Sequence, residues 1–148
     1  MTDPGHAAFH RYLAYCADFT AQPVDALDRM VAVDMQFKDP INQLNGRAAF
    51  KRYVLETIER VERPRMKVME TGWVDPAHCF VKWQFAGEIR SLAEKPWSVL
   101  GVSEIRLAKD GLVSSQVDYW DLASGLYEKF PWIGGIFRGL RTRLQLKP

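Results

Sequence analysis

The spacing of apolar side chains near the start of the chain predicts an amphipathic helix. Asp3 is placed to cap its first turn, and Pro4 suits the first helical position, where the missing N–H of proline is not needed. The residues that follow put five apolar side chains on one helical face: Phe9, Tyr12, Leu13, Cys16 and Phe19. We expect this face to pack against the rest of the protein.

The next stretch combines helical and extended patterns. Pro23 is expected to open a second, shorter helix, with Leu27, Met30 and Val31 directed inward. A short strand from Met35 to Lys38 should stop at Asp39-Pro40, because proline has no N–H to donate to a sheet. A third helix then follows, and Pro64 marks the end of its region. Its buried stripe is Phe50, Val54, Ile58 and Val61.

The second half of the chain shows the alternation of β-strands. Four strands are predicted, at about 65–74, 78–90, 96–108 and 112–121. The turns between them are Asp75-Pro76, Ala93-Glu94-Lys95 and Lys109-Asp110-Gly111. A short helix from Leu122 to Phe130 is expected next. Helices followed by a run of hairpins are the pattern of an α+β domain.

Alternation also assigns the two faces of each strand. In the strand at 96–108 one face is almost wholly apolar and should meet the helices: Trp97, Val99, Gly101, Ser103, Ile105 and Leu107. By the same rule Lys82 and Gln84 point to solvent, and so do Gln116 and Asp118. Some strands are apolar in part on both faces, which suggests that one face meets a partner chain.

Composition and charge narrow the classes of function. The chain has 148 residues, of which 47% are hydrophobic, so residues 1–148 are expected to form one domain. A net charge of +2 gives no general attraction for nucleic acid. Neither the two cysteines nor the three histidines have the spacing of metal ligands, so no metal or other cofactor is expected. Because neither a signal peptide nor an apolar run of about 18 residues is visible, we expect a cytoplasmic protein.

The tail at 131–148 is basic and amphipathic. It places a helical apolar stripe beside three arginines, and the stripe consists of Ile133, Ile136, Phe137, Leu140 and Leu144. A helix that lies on a membrane surface has this pattern. The alternative, which we favour from sequence, is that the stripe packs on the domain, covers the mouth of a pocket or meets a second subunit.

Two pairs of motifs resemble a known superfamily. Phe37-Lys38-Asp39-Pro40, followed by Gly46-Arg47-Ala48-Ala49-Phe50, resembles ketosteroid isomerase and its nuclear transport factor 2-like relatives, which include the SnoaL-like polyketide cyclases. Ser98-Val99-Leu100-Gly101-Val102, followed by Asp118-Tyr119-Trp120-Asp121-Leu122, resembles limonene-1,2-epoxide hydrolase. The resemblance implies a cystatin-like α+β cone, in which a curved antiparallel sheet wraps around the N-terminal helices and encloses an apolar pocket. It also implies a homodimer, for which Trp83 and Phe85 are two side chains that need cover.

The likeness to ketosteroid isomerase implies roles for three residues. Asp39 matches the aspartate that moves a proton between carbons, and Tyr12 matches the tyrosine that stabilises the enolate. The second, protonated acid of that enzyme falls at Ser103, which is a weaker hydrogen-bond donor than a carboxylic acid.

The likeness to the epoxide hydrolase implies a different set and reverses the solvent assignment made from alternation. Asp118 matches the aspartate that activates water, Lys82 falls on the arginine and Gln84 on the acid. Phe37 and Asp39 fall on a tyrosine and an asparagine. Gln84 cannot supply a proton as an acid does, and Lys82 lacks the fork of an arginine. The resemblance therefore implies that Lys82, Gln84, Asp118 and Trp120 point into the pocket, with Asp39 at its edge.

Taken together, the sequence predicts cofactor-free acid–base chemistry on a small apolar molecule, of the isomerase, cyclase or epoxide hydrolase and hydratase type. The catalytic candidates are Asp39, Asp118 and Lys82. The ligand-binding candidates are Tyr12, Phe37, Gln84, Trp97, Val99, Ser103 and Trp120. Two alternatives stay open, a binder of small ligands without catalysis and a dimeric interaction module. Asp39 has the further alternative of capping the turn that follows it.

Overall fold

The structure is a computed structural model, and it describes residues 4–147. The helices are α1 (Ala7–Ala17), α2 (Arg47–Arg60), α3 (Leu122–Gly125) and α4 (Gly134–Leu144), with 3-10 turns at Pro4–His6, Val24–Arg29 and Tyr127–Lys129. The strands are β1 (Val31–Lys38), β2 (Gln43–Asn45), β3 (Val61–Asp75), β4 (His78–Ile89), β5 (Trp97–Leu107) and β6 (Val113–Trp120). Asp3, the predicted cap of the first helix, lies outside the described residues. The α+β class is confirmed.

The six strands form one curved, open sheet in the order β2-β1-β6-β5-β4-β3. Its neighbours are antiparallel except for β1 and β6, which run parallel with Phe37 opposite Gln116. The expected curved antiparallel sheet is therefore confirmed except for this one pair. A parallel pair is possible there because β1 and β6 are joined by no hairpin, since α2 and three other long strands lie between them in the chain.

The core lies between the concave face of this sheet and the helices α1 and α2. Phe9 and Tyr12 on α1 and Phe50 and Val54 on α2 are buried, as the helical stripes predict. The second predicted helix is a 3-10 segment, in which Leu27 is buried. This packing leaves the middle of the cone unfilled, and the candidate site lies there.

The strand β3 begins earlier than predicted. It starts at Val61, directly after α2, so Pro64 lies inside the strand and not at its boundary. The pairing with β4 shifts register between Glu62 and Arg65, and Arg63 has a positive φ of 52°. A bulge on an edge strand tolerates proline, because the missing N–H has no partner to lose there.

The two faces of the sheet follow alternation on β4 and β5. Trp83 is buried and Phe85 lines the interior, so neither needs the cover of a partner chain, and that reason for a dimer was wrong. The outer face instead exposes Leu100 and Tyr119 on the neighbouring strands β5 and β6. Within residues 4–147 no helix is long and apolar enough to cross a membrane.

Candidate functional site

A cavity of about 400 Å³ lies between α1, α2 and the concave face of the sheet. Its walls are mainly apolar, and the aromatic side chains among them include Phe37, Phe50, Trp83, Phe85, Trp97 and Trp120. Polar side chains are also present, and they include the buried Tyr12, Asp39 and Gln116 together with Asp118. A space of this size, with mainly apolar walls and a few converging polar groups, suits a small organic ligand.

A β-bulge turns Asp118 into the cavity. Arg106 pairs with Ser115 and Leu107 with Val113, so Ser114 is an extra residue that lies opposite no residue of β5 in the register. Because Val113 already points inward, the extra residue shifts the alternation and sends the even-numbered side chains of β6 inward after it. Without the bulge, Asp118 would lie on the outer face.

A directed set of hydrogen bonds fixes one oxygen of Asp118. Ser103 Oγ donates to Asp118 Oδ1 over 2.5 Å, and Gln116 Nε2 donates to the same oxygen over 2.8 Å. Each of these two donors is itself held in position by a further hydrogen bond. The indole N–H of Trp83 donates to Ser103 Oγ over 2.7 Å, and the hydroxyl of Tyr12 donates to Gln116 Oε1 over 2.6 Å. The network therefore makes Oδ1 a permanent acceptor.

The other oxygen of Asp118 is left to the cavity. Among residues 4–147 no hydrogen bond reaches Oδ2. This atom is accessible, because it is not among the fully buried side-chain oxygens without a hydrogen-bond partner. Since Oδ1 receives two donors, a proton on the neutral acid must reside on Oδ2. The protonating and deprotonating atom of Asp118 is thus the one that a ligand would meet.

The surroundings of Asp118 tune its acidity. The pKa of this carboxyl is raised from 3.8 to about 6, chiefly by burial; the hydrogen bonds from Ser103 and Gln116 oppose the rise, and the charge of Asp39 adds to it. A carboxyl with such a pKa exchanges its proton readily near neutral pH, which is the property of a general acid or base.

Asp39 lies at the end of β1 in a different environment. Its Oδ1 accepts from the backbone N–H groups of Ile41, over 2.7 Å, and Asn42, over 2.5 Å. Its Oδ2 accepts from the hydroxyl of Tyr53 over 3.1 Å, and the side-chain amide of Asn42 reaches both oxygens at 3.2 Å. Asp39 therefore caps the turn after β1, as the structural alternative expected. A catalytic role for it stays a prediction.

The remaining predicted site residues fall into two groups, those that line the cavity and one that lies behind its wall. Tyr12, Phe37, Trp97, Val99 and Trp120 line the cavity. Ser103 does not line it but lies behind Asp118, where its hydroxyl is already used.

Lys82 and Gln84 lie outside the cavity, so their placement in the pocket was wrong. The pairing of β4 with β5 runs without a shift from His78 opposite Arg106 to Gly87 opposite Trp97. Because Trp83 points inward, its neighbours at 82 and 84 must point outward. Lys82 Nζ lies 3.9 Å from Glu70 on that outer face, and Gln84 lies 3.5 Å from Ser98.

Three residues of the site were missed from the sequence. Gln116 is two residues from Asp118 on the same strand, so once Asp118 is placed inward, alternation places Gln116 there too. Tyr53 lies beside Phe50 and Val54 in the buried stripe of α2, where a tyrosine hydroxyl needs a partner. No pattern in the sequence marked the role of Trp83. Its hydrogen bond to Ser103 joins β4 and β5, and the register between these two strands cannot be derived from the sequence alone.

Other reactive groups offer little alternative chemistry. Within the described residues no group of three or more His, Cys, Asp or Glu side chains could hold a metal ion. Cys16 borders the cavity, but burial raises the pKa of its thiol to about 12, and burial does the same for Cys79. A thiol with such a pKa is a poor nucleophile at neutral pH.

The fold and this site define a cone-shaped α+β domain of the nuclear transport factor 2-like type. The family model of the SnoaL-like domain matches residues 5–116, and the chain belongs to this family. The match ends just before Asp118, so family membership does not assign the chemistry of that residue. No curated protein matches the sequence.

Solved structures confirm the fold. A hypothetical protein from Catenulispora acidiphila with a ketosteroid isomerase-like fold, in complex with trimethylamine, is 20% identical with a TM-score of 0.71, over 88% of this chain and 96% of that one. An LEH-like epoxide hydrolase from M. tuberculosis is 16% identical with a TM-score of 0.66, over 95% and 94% of the two chains. A candidate SnoaL-like polyketide cyclase from Jannaschia sp. is 14% identical with a TM-score of 0.68, over 84% and 92%. At these identities the likeness shows the fold alone.

Proposed function

We propose that the protein binds a small apolar molecule in the cavity and moves a proton on it, with Asp118 as the acid–base group and no cofactor. The observation that carries the proposal is the asymmetry of Asp118. One carboxylate oxygen is held by Ser103 and Gln116, while the other is open to the cavity. Its pKa of about 6 gives both protonation states at physiological pH.

The arrangement favours a single-group proton shuttle over epoxide hydrolysis. Opening an epoxide with water needs one group that takes a proton and a second that gives one. Asp39 already accepts four donors, and Lys82 and Gln84 lie on the outer face. One carboxyl suffices to isomerise an unsaturated ketone. Ionised Asp118 takes a proton from the carbon between the carbonyl and the C=C bond, the electron pair forms a dienolate, and Asp118 returns the proton to the far carbon of the former double bond, so that the double bond moves.

Deuterium exchange tests this proposal. The protein would be incubated in D₂O with a panel of small apolar ketones, and deuteration beside the carbonyl would be followed by mass spectrometry. We expect the rate to rise with pH through about 6, as Asp118 ionises. We expect Asp118→Asn to lower it by about a hundredfold or more. Asp34→Asn, on the exposed part of β1, is the matched control.

A second candidate, binding without catalysis, is favoured by one specific observation. The hydroxyl of Tyr12 and that of Tyr53 are both committed to other protein groups, so neither is free to stabilise an oxyanion. Native mass spectrometry of protein from its own host separates the two candidates. A single unchanged apolar molecule, with no exchange on any ketone, would establish the binder and contradict the shuttle.

We also propose a homodimer that uses the outer face of the sheet. Leu100, Val102 and Tyr119 adjoin one another there, since Val102 pairs with Tyr119 across β5 and β6. Leu100 and Tyr119 are each more than half exposed in the single chain. A second copy of the same face would cover them.

A further inference from the structure

The helix α4 contacts the rest of the domain through Gly134, Phe137 and Arg141. Gly134 is so close to the backbone of Glu128 that a Cβ would lie 2.3 Å from its carbonyl oxygen. Phe137 packs on Tyr127 with ring centroids 5.1 Å apart. Arg141 forms a bidentate pair with Glu128, at 2.7 and 2.9 Å, and Glu128 is buried. Arg138 Nη1 also donates to the carbonyl of Glu128, so the helix is held through a glycine, one aromatic ring and two arginines.

The apolar stripe of the helix lies on a different face and has no cover. Ile133, Ile136, Leu140 and Leu144 follow one another at intervals of three and four residues, and all are exposed. Trp132, just before them, is 91% exposed. Of the five residues predicted in the stripe, Phe137 packs on the domain and the other four do not, so the expectation that the whole stripe packs there was wrong. The alternatives, that it covers the mouth of the pocket or meets a second subunit, stay predictions. An amphipathic helix held with its apolar face exposed to solvent indicates a binding surface.

Charge distinguishes the possible occupants of this face. Residues 129–147 contain five basic side chains and no acidic one. Two of these, Lys129 and Arg141, pair with Glu94 and Glu128, whereas no ion pair reaches Arg143 or Lys147 within residues 4–147. Two copies of the segment facing each other would repel. An anionic surface would be attracted, and a basic amphipathic helix with an exposed tryptophan fits the interface of a lipid bilayer.

We propose that α4 docks the protein on membranes that contain anionic lipids. Its apolar stripe enters the headgroup region, and Arg143 and Lys147 contact the lipid phosphates. The helix is joined to the cavity wall, because Leu126 and Phe130, which precede it, line the cavity and the N–H of Gly134 donates to the carbonyl of Phe130 over 3.0 Å. A docked helix would hold the cavity beside the bilayer. The docking itself does not depend on the chemistry proposed for Asp118.

Vesicle co-sedimentation tests the proposal. The protein would be mixed with vesicles of phosphatidylglycerol and phosphatidylcholine, and with vesicles of phosphatidylcholine alone. We expect binding to the anionic vesicles that weakens with added salt. Ile136→Asp combined with Leu140→Asp should lower the partition coefficient by about tenfold or more, because two aliphatic side chains no longer enter the bilayer. Arg143→Gln combined with Lys147→Gln should have an effect of about the same size.

The control is Val33→Asp. Val33 is 72% exposed and Ile136 is 70% exposed, so the two positions accept a charge equally well, but Val33 lies on β1 away from the helix. We expect this variant to bind vesicles as the wild type does. Absence of binding to anionic vesicles at low salt would overturn the proposal, as would undiminished binding of the doubly substituted helix. If these substitutions instead dissociate an oligomer in light scattering, the occupant is a second copy and the membrane proposal is wrong.

Discussion

Replacing Asp118 by asparagine should stabilise the protein at neutral pH. Asparagine has nearly the same shape, and its Oδ1 can still accept from Ser103 Oγ and Gln116 Nε2. Its amide nitrogen would take the place of Oδ2, which faces the cavity and not a protein donor. The substitution therefore keeps the network and removes only a buried negative charge.

The magnitude follows from the pKa. A carboxyl whose pKa rises from 3.8 in the unfolded chain to about 6 in the folded protein binds its proton more tightly when folded. The contribution of Asp118 to stability is therefore greatest below about pH 4 and is lost as the pH rises through about 6, because only the unfolded chain ionises in that range. Above that pH the loss is complete and amounts to about 3 kcal/mol. Since water in the cavity can screen the charge, we expect a gain of about 1 to 3 kcal/mol for Asp118→Asn at pH 7.5.

Urea denaturation at pH 4.5, 6 and 7.5 measures this difference. The gain of Asp118→Asn over the wild type should grow with pH and level off above about 6. Asp34→Asn, at an exposed position, should show no such growth. A variant that is less stable than the wild type at pH 7.5 would refute the reasoning, since it would mean that the network favours the charged form.

Three further predictions concern the support of the site and the outer face. Gly101→Ala should cost about 1 to 3 kcal/mol in urea denaturation, because an added Cβ would lie 2.3 Å from the ring of Trp83; an unchanged midpoint would contradict that packing. Ser103→Ala removes a donor that lowers the pKa of Asp118, so the carboxyl should titrate above 6 in carbon NMR, and a pKa that stays in place would show that the hydroxyl does not bond there. Leu100→Glu should convert a dimer into a monomer in light scattering, whereas Val33→Glu should not.

The sequence predicted the architecture because its signals are periodic. Phe50 and Val54 on α2 and the inward face of β5 were assigned correctly, since both depend only on regular spacing along one element, whereas Val61, predicted in the same helical stripe, begins β3. The parallel pairing of β1 with β6 was not predictable in this way. It depends on which strands meet across the sheet, and no local pattern encodes that.

The site was harder to predict because it depends on a β-bulge and on which side chains of each strand point into the cavity. Alternation put Asp118 on the solvent face, and the family resemblance put it in the pocket; the bulge at Ser114 shows why the position given by resemblance was correct. On β4, where pairing with β5 is unbroken, alternation placed Lys82 and Gln84 correctly and the resemblance did not. Distant likeness transferred the fold and one side-chain direction, but it did not transfer a constellation of residues.

The contrast between the two acids of the cavity supports a functional reason for only one of them. Asp39 receives four donors, including two backbone N–H groups, so its charge stabilises the turn that it caps. Asp118 receives two donors at one oxygen and carries a net cost for its charge. If its role were only to accept from Ser103 and Gln116, an asparagine would do so without that cost. A position where a carboxylate is less stable than an amide therefore favours the proton transfer that we propose for Asp118 over a purely structural role.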